Sequence, residues 1–107
     1  MVSLDELLET LVSAIANRDL ATTLGCFAVN AVVLGSEAGE EARGIGHLQS
    51  FFERGYGKEA ACRIRFDDRI WTLRQDQAWV ISNDTGSEPG QDAANYRLVA
   101  IFEKPAS

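Results

Sequence analysis

Residues 96–103 read YRLVAIFE, and this stretch restricts the fold more than any other. Alternation places Tyr96, Leu98, Ala100 and Phe102 on one face of an extended strand and Val99 and Ile101 on the other. Both rows are apolar near the middle. A strand with one solvated face should alternate apolar and polar residues, so this one needs cover on both sides. The chain's own core supplies one cover. A second copy of the chain, docking on Val99 and Ile101, is the economical candidate for the other.

The remaining elements show what the chain can offer as a core. With 107 residues, 46% of them apolar, one domain over residues 1–107 is expected. Leu4, Leu7, Leu8, Leu11, Val12 and Ile15 follow helical spacing, and Ser3 with Glu6 forms a capping box before them. Asn17, Arg18 and Asp19 end this helix, and a short second helix follows over 20–27. Residues 31–34 and 40–43 read as a hairpin around Ser36 to Gly39. A third helix spans 45–56, stopped by Gly55 and Gly57. Cys62, Ile64 and Phe66 alternate with Arg63, Arg65 and Asp67 as in a half-buried strand, and a bulge or bend is expected at 67–69. Ile70 to Leu73, 78–83 and 95–103 are further strands, with a turn at 75–77 and a loop over 86–92.

Helix, helix, hairpin, helix and then long antiparallel strands make an α+β chain, with helices on one face of a curved sheet. The segment 27–52, FAVNAVVLGSEAGEEARGIGHLQSFF, resembles the nuclear-transport-factor-2-like superfamily, nearest its SnoaL-like and ketosteroid-isomerase-like members. The matching features are Phe27-Ala28 before Asn30-Ala31, the Gly-Ser-Glu turn, the Arg43-Gly44 pair before a helix and the Phe51-Phe52 pair inside it. Asp19 and the Gln77-Ala78-Trp79-Val80 strand start match as well. The resemblance implies a cone-shaped antiparallel sheet, three helices from the N-terminal half packed on its concave face, an internal pocket, and dimerisation through the outer sheet face. It also implies a further strand after residue 103. The sequence instead stops at Lys104-Pro105-Ala106-Ser107, so an open seam is expected.

The same resemblance restricts the chemistry. Its isomerase branch keeps a carboxylate base near the end of the first strand, and that position falls at or beside Gly35, which has no side chain to take a proton. The first helix has no tyrosine where that branch carries its oxyanion donor. The candidate base is then Asp84, near a strand end, whose pKa would rise in an apolar pocket. Candidate pocket residues are Phe52, Tyr56, Trp71, Trp79, Asp84 and Tyr96, and the aromatics together with the cone fold favour an apolar small molecule. Asp68 is expected to pair with a neighbouring arginine, and Arg63, Arg65 and Arg69 to pair with acids such as Asp67. His47, the one histidine, is expected at the surface.

Glu37, Glu40 and Glu41 lack EF-hand spacing, and strand alternation keeps the last two apart, so a solvated hairpin is expected and not a metal site. GSEAG lacks the glycine-lysine ending of a phosphate loop. Cys26 and Cys62 read as buried thiols. No cofactor motif is present. Net charge −6 disfavours nucleic acid. The acidic opening MVSLDELLETL is unlike a signal peptide, and no stretch is apolar enough to span a bilayer, so a cytoplasmic protein is expected, with no membrane partner. Two functions fit. One is binding of a small apolar molecule in the cone, with or without acid–base turnover of isomerase, cyclase or hydrolase type. The other is a non-enzymatic dimeric association or scaffold module.

Overall fold

A computed structural model describes residues 3–34, 39–57, 64–86 and 94–103; for 84–86 and 94–98 the backbone alone is described. The chain divides into two compact units, Met1–Ile64 and Arg65–Ser107.

The first unit begins with α1 (Leu4–Ala16). The Glu6 N–H donates to Ser3 Oγ at 3.1 Å, satisfying one of the orphan donors at the helix start. The helix ends in a Schellman motif: Arg18 N–H reaches Ile15 O at 3.2 Å and Asp19 N–H reaches Ala14 O at 2.9 Å. The motif needs a left-handed residue, and here it is Arg18, with φ 55°, in place of the usual glycine. Asp19 then caps α2 (Leu20–Gly25) at once. Its carboxylate accepts from Thr22 N at 3.2 Å and Thr22 Oγ1 at 2.7 Å. These bonds favour the charged form and hold the carboxyl below its ordinary pKa. Three residues thus stop one helix and start the next.

β1 (Val32–Leu34) and β2 (Glu41–Arg43) pair antiparallel, with Val33 opposite Ala42. Ala42 is buried, while Glu41 and Arg43 form an ion pair on the exposed side. Gly44 turns the chain into α3 (Gly44–Tyr56) with φ 81°. Its N–H donates to Ala31 O at 2.8 Å, and Ile45 N–H donates to Val29 O at 2.9 Å, which ties the helix start to the approach to β1. Gly55 lies inside the last turn of α3, and Gly57 is the cap. The unit's core is Ile15, Ala42, Leu48 and Phe52, ringed by Leu11, Leu20, Leu24, Phe27 and Val33 among others. Helical and strand periodicities therefore converge on one apolar cluster.

The second unit is a three-stranded antiparallel sheet in the order β3-β4-β5, made of β3 (Arg69–Leu73), β4 (Gln77–Gly86) and β5 (Ala94–Glu103). The β4–β5 ladder runs unbroken from Gln77↔Glu103 to Gly86↔Ala94. Among the described residues the strands form two separate sheets and not one continuous sheet.

The strand expected over Cys62 to Phe66 is not formed where it is described: residues 64–67 join no ladder, and 61–63 lie outside the described residues. Phe66 is still buried between exposed Arg65 and Asp67, so alternation there records burial without pairing. Register supplies a physical reason for the stop at Arg69. Arg69 pairs with Ser82, so a continued ladder would set Asp67 opposite Asp84, and like charges directly opposed are destabilising. Asp68 forms a bend, and Asp67 instead pairs with Arg65, at 2.7 Å.

Candidate functional site

The β3–β5 sheet has two chemically distinct rows. Trp71 pairs with Val80, and Val80 with Ala100, so these three share one face. Ala78, Val80 and Ser82 on that face are buried, and the Trp71 ring packs against Phe102 with centroids 5.6 Å apart. The other row contains Ile70, Thr72, Trp79, Ile81, Val99 and Ile101, with Ile81 opposite both Ile70 and Val99, and Trp79 opposite both Thr72 and Ile101. Ile70 is 60% exposed, Val99 57% and Ile101 69%. Ile70 on β3 and Val99 and Ile101 on β5 are all more than half exposed, and with half-buried Trp79 and Ile81 on the intervening β4 they make an apolar row across the sheet. Arg74 lies at its margin, with its guanidinium 5.4 Å from the Trp79 ring centre.

This parity separates the expected pocket walls. Trp71 and Trp79 lie on opposite faces of the sheet, so a single concave lining cannot hold both. Asp84 and Tyr96 are opposite one another in the β4–β5 ladder, and by alternation fall in the row of Val80 and Trp71. Their side chains lie outside the described ones. Phe52 and Tyr56 belong to the first unit and are brought together there. Phe52 is buried at the centre of an aromatic group, with Phe51, Tyr56 and Phe27 rings 5.3, 5.7 and 5.8 Å away. Its surroundings are those of a core residue.

Thr23, which sequence reasoning did not single out, is fully buried and bonded twice. Its Oγ1 donates to Asp19 O at 2.7 Å and lies 2.7 Å from the Tyr56 hydroxyl. With Thr23's one proton committed to the carbonyl, the Tyr56 hydroxyl is the donor in the second bond. The pair links α2 to α3. The one signal in the sequence was a hydroxyl four residues after a capping aspartate.

The other candidates have ordinary surroundings. His47, Glu40 and Asp68 are exposed. Cys26 is half-buried, its Sγ donates to Thr22 O, and burial pushes its thiol pKa up, away from reactivity. Arg69 donates to Phe66 O. Gly35, Glu37, Cys62 and Arg63 lie outside the described residues. A shallow groove of about 340 Å³ borders α1 and α2, lined by Glu9, Thr10, Ser13, Asn17, Asp19 and Thr22 with Ala14. Much of its polar lining is bonded locally: Thr10 to Glu6 O, Asn17 to Ser13, and Asp19 to Thr22. Among the described residues, no three acidic, histidine or cysteine side chains cluster as a metal site would require, and no helix is long and apolar enough to cross a membrane.

No protein-family model matches the chain, and no curated protein does. Solved structures do. A Xanthomonas campestris chain, provisionally assigned as a calcium/calmodulin-dependent protein kinase II association domain, aligns with a TM-score of 0.68 at 19% identity, covering 95% of this chain and 75% of its own. That domain has a nuclear-transport-factor-2-like fold. At this identity the likeness speaks to architecture: the chain has an α+β, nuclear-transport-factor-2-like fold, and among the described residues its strands do not form one closed sheet.

Proposed function

We propose that residues 1–107 act as a single association module, in which one copy binds a second through the outer face of β3–β5. The observation that carries this reading is the exposed row of Ile70, Val99 and Ile101, continued by Trp79 and Ile81. An apolar face of this kind left in water costs free energy that docking removes. A second copy is the simplest partner, because a two-fold contact requires only that the face complement itself. The Xanthomonas campestris neighbour, assigned to an association domain, favours the same class of function. Sedimentation of the Val99→Asp variant tests it: the dimer should dissociate, because an unpaired carboxylate would be buried in the contact. Intact Val99→Asp dimers would overturn it.

A second reading keeps the SnoaL-like, ketosteroid-isomerase-like branch. In it the chain binds a small apolar molecule, with Asp84 as the base for acid–base turnover. The pairing of Asp84 with Tyr96 in the ladder favours it, since it brings a carboxylate residue and a phenol residue to neighbouring backbone positions. A thermal-shift screen with apolar ligands should raise Tm for at least one compound, and Asp84→Asn should abolish any turnover of it. No shift with any compound would overturn this second reading alone.

A further inference from the structure

We draw no further inference here: the strongest candidate, the exposed apolar strip of Val29, Val32 and Leu34 along the outer side of the β1–β2 hairpin, carries nothing because nothing in the structure shows what covers it.

Discussion

Replacing Ile101 by aspartate probes the exposed apolar face of β3–β5 at the more exposed of Val99 and Ile101. Full burial of an isoleucine side chain contributes roughly 1.5–3 kcal/mol. Ile101 is 69% exposed, so docking can still gain roughly 1–2 kcal/mol from it. A two-fold contact uses the residue twice, which doubles the figure to roughly 2–4 kcal/mol. At about 1.4 kcal/mol per decade, its loss weakens the dimer roughly 30- to 700-fold. Burying the new carboxylate adds to that loss. The isolated chain should suffer little, because the side chain already faces water; a surface strand change of this type costs about 1 kcal/mol or less. Sedimentation velocity over a dilution series gives the dissociation constant, and circular dichroism confirms that the variant folds. The reasoning fails if folded Ile101→Asp dimerises within threefold of the parent.

Other expected outcomes concern the scaffold and its response to acid. Arg18 holds the left-handed position of the Schellman motif. Arg18→Gly should therefore be more stable than Arg18→Ala by about 1 kcal/mol, which a pair of denaturant titrations measures; equal midpoints would contradict the strain argument. A Cβ at Gly44 meets only Val29 O at 3.8 Å, an ordinary contact, so Gly44→Ala pays for backbone conformation alone. The cost should be roughly 1–2 kcal/mol in chemical unfolding, and no loss would contradict the assigned φ. Asp19 titrates below its ordinary value in the fold. Its contribution is complete above the unfolded pKa, near 4, and disappears as pH falls through the lower folded value. Asp19→Asn caps without titrating, so its Tm should fall less steeply than the parent's below about pH 4. Parallel curves would contradict this.

Local chemistry made much of the first unit legible. Ser3 and Asp19 are side chains that cap helices wherever backbone donors are orphaned, and their neighbours carry the helical apolar spacing. The two apolar rows of 96–103 required only strand alternation. The faces taken by the aromatic candidates were less legible because face assignment across strands depends on register, which a sequence does not print. Trp71 and Trp79 are both odd-numbered, yet an odd residue of β3 shares its face with even residues of β4, so the two separate. The strand expected at 62–66 illustrates a different limit. Alternating burial of Ile64 to Asp67 satisfies the same pattern as a paired strand, while the opposition of Asp67 to Asp84 that would follow from pairing depends on a partner 17 residues away in sequence. Thr23 was missed because a buried hydroxyl is recognisable only with its tertiary partner, Tyr56, in place.

The central claim is that the outer face of β3–β5 is covered by a second copy. Sedimentation equilibrium of the unmodified protein, from low micromolar to several hundred micromolar, tests it most directly. The account predicts a mass rising toward twice that of the chain, with the Ile101→Asp variant remaining near one. A parent protein that stays monomeric across the whole range, or a variant that follows the parent's curve, would contradict it.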